Sequence, residues 1–415
     1  MNKVFPIDNG AACQFKWTWS TIFLNRGTTA SCHRGAHWDL DENTIMNFHN
    51  LPQKISDREK MLKGIWPGNG CEYCRDVEAA GGISERLSYV NTFDGILPPE
   101  LETDMTATNV TPRLLEVYFS NICNQSCVYC SPGFSSQIEQ EVRKYGPSKY
   151  NDSYSIWNSD RRDMYEVYLA KFWEWMKLNA TELRIFQVLG GEPLYQDEFE
   201  QCLDFFENNP CPELIWRVFT NMNHNPTKFK EKINRIQQLI DSKKIKSMDF
   251  VCSIDCWGPE VEYARYGLNL EECEENMNTI LDANGIGILI HSTLTALTVP
   301  TLYQLCEKVM EWKQHKKIIF GWNTVVRPEC FDVYHFGHHL APYIDKALEV
   351  FERNGGLQDY QKYLLGIKQR MIETPINIEG IDNLVGFLDD LDIRRNDDWK
   401  SRFPQITQLI QEIKK

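Results

Sequence analysis

Cys123, Cys127 and Cys130 stand in a Cys-x3-Cys-x2-Cys spacing just after an apolar run, Leu114 to Ser120, with no nearby Cys or His to make a fourth ligand. A structural zinc or a closed iron-sulfur cluster takes four protein ligands, so a loop of three thiolates points to a metal left open to bind something else. Taken alone, the triplet also reads as a metal knuckle or a chance spacing. Four further thiols fall into two pairs, Cys13 with Cys32 and Cys71 with Cys74. Four cysteines in two pairs suit zinc or a 4Fe-4S cluster, and spacing does not separate these; residue types alone favour zinc. Gly190-Gly191-Glu192-Pro193 joins two residues without a Cβ, which let backbone come close to a ligand, to a carboxylate suited to a ligand ammonium. A Gly-Gly pair is ordinarily just a turn.

Apolar runs bounded by turn residues give the strands that must position these groups: Leu114 to Ser120, Leu183 to Leu189, Leu214 to Thr220, Met248 to Ile254, Ile286 to Thr293 and Ile318 to Trp322. Between them lie amphipathic helical stretches, Tyr195 to Glu207, Phe229 to Ile240, Glu271 to Ala283 and Leu302 to Lys313. Strands alternating with helices read as a parallel sheet of βα units, α/β in class. In a parallel barrel the active site sits at the carboxyl ends of the strands. The cysteine loop follows the first strand, Gly190 to Pro193 the second, Thr220-Asn221 the third, and Ser253-Ile254-Asp255 closes the fourth, so all four fall on one rim. Ser253 and Asp255 share one strand face, where they suit ribose hydroxyls or a polar pair capping the strand. Asn221 is a contact for substrate or cofactor, or a turn residue.

Before the barrel, Phe15, Trp17 and Trp19 alternate with polar residues, and Asn25-Arg26-Gly27 reads as a hairpin turn with a glycine at positive φ. That hairpin would bring Cys13 and Cys32 together, with Cys71 and Cys74 closing the site from a following loop.

The triplet spacing, with Tyr129 just before the third cysteine, resembles the radical S-adenosylmethionine (SAM) superfamily. The resemblance implies a partial (β/α)6 TIM-like barrel in which Cys123, Cys127 and Cys130 hold a 4Fe-4S cluster whose fourth iron is chelated by SAM. One-electron reduction then cleaves SAM to methionine and a 5'-deoxyadenosyl radical that abstracts hydrogen from the substrate. It implies that Gly190, Gly191 and Glu192 hold the amino group of SAM; Tyr129, Ser253, Asp255 and Asn221 are the further cofactor contacts expected from their places on the rim. Arg265 resembles a family position that reaches the SAM carboxylate, although a solvated helix charge is its plainer reading. Cys-x13-Gly-x4-Cys from Cys13 through Gly27 to Cys32, the later Cys71-x2-Cys74 and the trailing Glu78 to Arg86 are similar to the twitch domain, a half-sized relative of the SPASM domain. This reverses the zinc preference and implies an auxiliary 4Fe-4S cluster, here ahead of the barrel, where it follows in the better-known members. Phe387 to Asp392 and Asp397-Asp398-Trp399 resemble the tail of twitch-containing members.

The expected organisation is a twitch-like iron-sulfur domain over residues 1–95, a linker over 96–112, the barrel over 113–335 and a helical C-terminal extension over 336–415. An insert from Pro132 to Ala180 separates the first two strands, and its Phe172, Trp173 and Trp175 read as core. Tail helices are expected at Tyr343 to Arg353 and Ile406 to Lys415. Fourteen cysteines in 415 residues, without a secretory start at Met1 to Phe5, suggest thiols and metals in a reducing, cytoplasmic setting. Cys202, Cys211, Cys252, Cys256, Cys273, Cys306 and Cys330 read as buried small hydrophobes, with Cys256 and Cys330 open to a proton- or hydrogen-donating role. His335, His338 and His339 follow the last strand, as a surface loop or an acid-base group. A net charge of -14 disfavours nucleic acid, and no apolar run is long enough for a membrane helix. The short basic runs at Lys243 to Lys246 and Lys313 to Lys317 read as solvated faces near helix ends. The function expected is a radical SAM enzyme acting on a peptide, protein or polar small molecule, with a one-electron reductant such as flavodoxin or ferredoxin. A zinc-containing scaffold or binding protein on a degenerate barrel is the alternative.

Overall fold

Eleven strands organise the chain in the computed structural model, which describes residues 7, 9–88, 96–151, 162–356 and 358–415. They are β1 Trp19–Phe23, β2 Thr28–Ala30, β3 Trp38–Asp39, β4 Leu114–Tyr118, β5 Ser126–Cys127, β6 Ile185–Leu189, β7 Cys211–Thr220, β8 Ile245–Ser253, β9 Arg265–Tyr266, β10 Ile286–Leu294 and β11 Ile318–Thr324. Nine form one sheet in the order β11-β10-β8-β7-β6-β4-β1-β2-β3, and β5 pairs with β9 apart from it. The six strands expected from the apolar runs are β4, β6, β7, β8, β10 and β11, parallel and adjacent in chain order. Helices Asp197–Asn208, Pro226–Asp241, Leu270–Asp282 and Leu302–Trp312 fill the connections, within a few residues of their expected places.

Alternation along each strand explains why these runs were readable. Leu115, Val117, Phe186, Val188, Trp216, Val218, Met248, Phe250, Ile288 and Ile290 are all buried in the main core. Burial of each such side chain contributes about 1.5–3 kcal/mol. The opposite face carries Glu116, Gln187, Arg217 and Asp249 in register across four strands. Thr21 Oγ1 donates to Glu116 Oε1 at 2.9 Å, the Gln187 amide donates to Glu116 Oε2, and Arg217 pairs with Asp249 at 3.0 Å.

The N-terminal region departs from expectation. Phe15 to Trp17 do not continue a strand; Gln14–Thr18 is a short helix, because Phe15 and Trp17 pack into two different apolar clusters. The hairpin itself is present between β1 and β2, with Gly27 at φ +59 where a Cβ would lie 2.7 Å from Tyr168. β1 then pairs in parallel with β4 through all five residues, Trp19 opposite Leu114 to Phe23 opposite Tyr118. The hairpin that carries the first cysteine pair is thus continuous with the main sheet.

In the insert, Tyr165–Asn179 is helical, Phe172 and Trp175 are core, and Trp173 donates its indole to Gln201 at 2.8 Å; residues 152–161 lie outside the described residues. The tail forms helices Ala341–Arg353, Gln358–Glu373, Ile378–Arg395 and Pro404–Ile413. Among the described residues no helix is long and apolar enough to cross a membrane, and Met1 to Phe5 lie outside them.

Candidate active site and second thiol pocket

The fourteen cysteines divide cleanly by exposure. The seven set apart by their spacing are all half-buried, and the other seven are all buried. Cys256 and Cys330 belong to the core and line neither thiol pocket.

Cys123, Cys127 and Cys130 border a cavity of about 270 Å³ at the carboxyl ends of the strands, together with Tyr129, Gly190, Gly191, Glu192, Asn221, Ser253 and Arg265. Tyr118, Phe134, Thr220 and Thr293 also line it. The loop is pinned by the two-residue ladder in which Cys127 faces Arg265, and by Val128 N–H donating to Ala264 O at 2.9 Å. Gly190 and Gly191 have φ +89 and +58, and a Cβ on Gly191 would lie 2.1 Å from Ile122 O. Their lack of side chains lets the turn press against the cysteine loop, where Glu192 N–H donates to Ile122 O at 2.7 Å. The close approach is to protein backbone, where the sequence suggested a ligand.

Glu192 is almost fully buried and held from below. Asn221 N–H donates to its Oε2 at 2.7 Å, Leu194 N–H to Oε1 at 3.3 Å, and His224 Nε2 lies 3.2 Å from Oε1. His224 was not foreseen, although it shares the rim segment that begins at Thr220. Asn221 also donates its amide to Asn124 Oδ1 at 2.8 Å, tying this turn to the cysteine loop.

Arg265 corrects the sequence reading of a solvated helix charge. The helix ends at Ala264, and Arg265 is buried in β9 with its guanidinium 2.9 Å from Asp255 Oδ1 and 3.9 Å from Cys127 Sγ. Asp255 is fully buried and does not line the cavity. Besides Arg265, it accepts from Thr293 N–H at 2.9 Å and from Tyr129 Oη at 2.5 Å. Its carboxylate is therefore occupied by protein donors and sets the positions of Arg265 and Tyr129, while Ser253 does reach the cavity wall.

Cys13, Cys32, Cys71 and Cys74 line one pocket of about 30 Å³ with Phe15, Lys16, Met61, Trp66, Arg34 and Arg86. Cys13 and Cys32 pack with Trp19, Leu114 and Ile185, at the amino ends of β1, β4 and β6. The pockets thus stand at opposite ends of the same strands, whose four-residue rise is about 13 Å. Glu78, in the stretch after Cys74, pairs with Arg86, whose guanidinium also reaches Gly10 O at 2.9 Å and closes this pocket. Among the described residues no group of three or more His, Cys, Asp or Glu side chains is placed to share a single metal ion.

Burial, then repulsion from a neighbouring thiol, pushes Cys13 up to about 12 and Cys130 up to about 12; burial pushes Cys71 up to about 11. Burial raises Cys127 too, with Arg265 opposing. These thiols are costly to ionise unless a cationic centre takes the charge.

The tail motif anchors this rim. Asp392 accepts from Tyr263 Oη and from Trp399 N–H, each at 2.8 Å, and Arg395 pairs with Glu141 at 2.9 Å while stacking on Tyr266 of β9. The histidines do not converge. His335 is buried against Glu329 O, whereas His338 and His339 stack on each other away from both pockets.

Neither a protein-family model nor a curated protein matches the chain. Among solved structures, Streptococcus suis SuiB bound to S-adenosylmethionine superposes at 12% identity over 79% of this chain and 66% of that one, with a TM-score of 0.34. TYW1 with a lysine-pyruvate adduct bound superposes at 15% identity over 58% of this chain and 74% of that one, with a TM-score of 0.31. At these scores neither superposition transfers a fold or a function.

Proposed function

We propose that the chain is a radical SAM enzyme carrying a second, closed iron-sulfur centre. The observation that carries this reading is the partition of thiols. Three half-buried cysteines border a cavity of about 270 Å³, four others line a pocket of about 30 Å³, and the remaining seven are core. The donor sets fit the two groups: three thiolates leave one iron of a 4Fe-4S cluster free for SAM, and four saturate an auxiliary cluster. Bound and reduced, the first centre supplies one-electron cleavage of SAM to methionine and a 5'-deoxyadenosyl radical.

The chain's own residues bind and orient. Glu192, held rigid by Asn221 and His224, offers its carboxylate to the SAM ammonium. Arg265, fixed by Asp255, presents a cation beside Cys127 that suits the SAM carboxylate. Ser253, Asn221 and Thr293 supply polar edges for the ribose, and Tyr118 and Phe134 shield the cavity from water. Cys13, Cys32, Cys71 and Cys74 would hold the auxiliary cluster, which would supply a site to accept or relay an electron. A peptide, protein side chain or polar small molecule is the substrate class proposed, and flavodoxin or ferredoxin the reductant class. The domain division at residues 1–95, 96–112, 113–335 and 336–415, the twitch-like character of the first and the partial barrel of the third belong to the same proposal.

Anaerobic reconstitution tests it. The protein should bind about eight iron and eight sulfide, as two four-iron clusters require. Cys123→Ala and Cys71→Ala should each lose about half, and the reduced enzyme should release 5'-deoxyadenosine only when the triplet is intact. Zinc at both sites with no nucleoside released would favour a scaffold instead.

A further inference from the structure

Behind the four-thiol pocket lies a concentration of buried charge that nothing in the motifs calls for. Lys16, Lys54 and Arg58 are each no more than 4% exposed, and among the described residues Asp57 is the only buried carboxylate in direct contact with them, pairing with Lys16 at 2.7 Å. Lys54 Nζ donates to three neutral acceptors, Ser20 Oγ at 3.1 Å, Thr29 Oγ1 at 2.8 Å and Ala30 O at 2.9 Å. Arg58 donates to Lys16 O, Asn50 Oδ1, Thr108 O and the ring and carbonyl of His49, again all neutral. Glu100 faces Arg58 from farther off, and Arg34 and Arg86 at the pocket rim are matched by Glu85 and Glu78. Three buried basic side chains therefore stand against one buried carboxylate, and burial, then repulsion from Arg58 and Lys16, holds the Lys54 ammonium well below its ordinary range in the metal-free chain.

Such an arrangement is expensive when no anion answers it. Buried charges persist when paired or neutralised by a metal site, and replacing uncompensated ones with apolar residues of similar size is often stabilising. The anion lies next to them. Lys16 lines the four-thiol pocket, and Lys54 reaches Ala30, two residues before Cys32. A metal centre carried by four thiolates is net negative, and the cluster form gains one more negative charge on accepting an electron.

We propose that Lys16, Lys54 and Arg58 are positioning residues that compensate a tetrathiolate centre at Cys13, Cys32, Cys71 and Cys74 and favour its reduced state, which makes the oxidised centre a better electron acceptor. The inference rests on the reading that these four cysteines share one iron-sulfur centre. Buried cations favour the more negative redox state, so the centre's potential is higher than the same four thiolates would give in neutral surroundings. The same cations select an occupant, since a neutral or cationic group in the pocket leaves them unanswered.

The test is a reversal of sign. Lys54→Met should raise the melting temperature of the metal-free protein and lower that of the iron-loaded protein. Lys16→Gln should shift the midpoint potential of the four-thiol centre to more negative values in an EPR-monitored titration, and Lys16→Arg should restore it. These measurements are made in the Cys123→Ala background so that one centre is read. If Lys54→Met moves both melting temperatures the same way and Lys16→Gln leaves the potential in place, the compensation role is overturned. If Cys71→Ala keeps its iron, the shared-centre reading itself fails, which is a separate result.

Discussion

Arg265 and Asp255 form an ion pair of 2.9 Å in which both partners are buried, and the same guanidinium lies 3.9 Å from the sulfur of Cys127. The pair joins the end of β8 to the short ladder under the cysteine loop. A charge so placed does two jobs: it holds the loop's shape, and it keeps a cation beside a thiolate.

Removing one partner leaves the other charge buried, which typically costs 3–5 kcal/mol. Asp255→Asn should therefore destabilise the metal-free protein by about 3–5 kcal/mol in denaturant titration. The double variant with Arg265→Met should lose less than the two single losses summed, because each single variant strands its partner. A loss under about 1 kcal/mol for Asp255→Asn would mean that solvent or relaxation replaces the pair.

Gly191→Ala places a methyl 2.1 Å from Ile122 O at φ +58, and the neighbour is backbone that cannot swing aside. The cysteine loop must move. We expect iron at Cys123, Cys127 and Cys130 to fall well below that of the parent protein while iron at the other four cysteines is kept. Equal loss at both would point to global unfolding instead.

His224→Phe removes the ring nitrogen beside Glu192 while keeping the stacking on Tyr195, whose ring lies 4.7 Å away. A hydrogen bond to a charged group contributes about 1.5–3 kcal/mol, so SAM affinity should fall by roughly ten- to a hundredfold in equilibrium binding. Unchanged affinity would remove His224 from the positioning of Glu192.

Burial raises the Glu116 carboxyl above its ordinary range, with Thr21 and Gln187 opposing. A carboxyl whose folded value is raised supports the fold below its unfolded value, and that contribution is lost as pH rises through the folded value. Glu116→Gln abolishes this loss. The variant should gain stability relative to the parent as pH rises from mildly acid to neutral, and a pH series of melting temperatures checks it. A constant difference across the series would show that Glu116 does not titrate in this interval.

The six parallel strands were readable because their helix-facing residues must be apolar, and a run such as Met248 to Ile254 has little other use. Their true ends were not, since β7 and β8 extend three residues earlier into positions of mixed polarity. The parallel partner of β4 was invisible for a different reason. β1 lies some ninety positions upstream, and nothing in a period of two residues names the strand a run will join. The alternation of Phe15 and Trp17 imitates a strand, yet their rings enter separate clusters on a helical turn. In the site, cysteine spacing and Gly-Gly-Glu were legible because few other residues do that chemistry. The burial of Arg265 was not, since an arginine beside a helix is ordinarily solvated and its partner Asp255 lies ten residues earlier, on the far side of the helix Glu260–Ala264. His224, Lys54 and Arg58 carry no motif at all; only their surroundings give them a role.

One ladder of five residue pairs, β1 against β4, reaches from the four thiols at its beginning to the wall of the three-thiol cavity at its end. A ladder of this kind does not stretch. Were the two thiol sets to hold the proposed centres, an electron passing between them would cross a gap set when the chain folds. The hydrogen-bonded layer of Thr21, Glu116 and Gln187 lies within that gap.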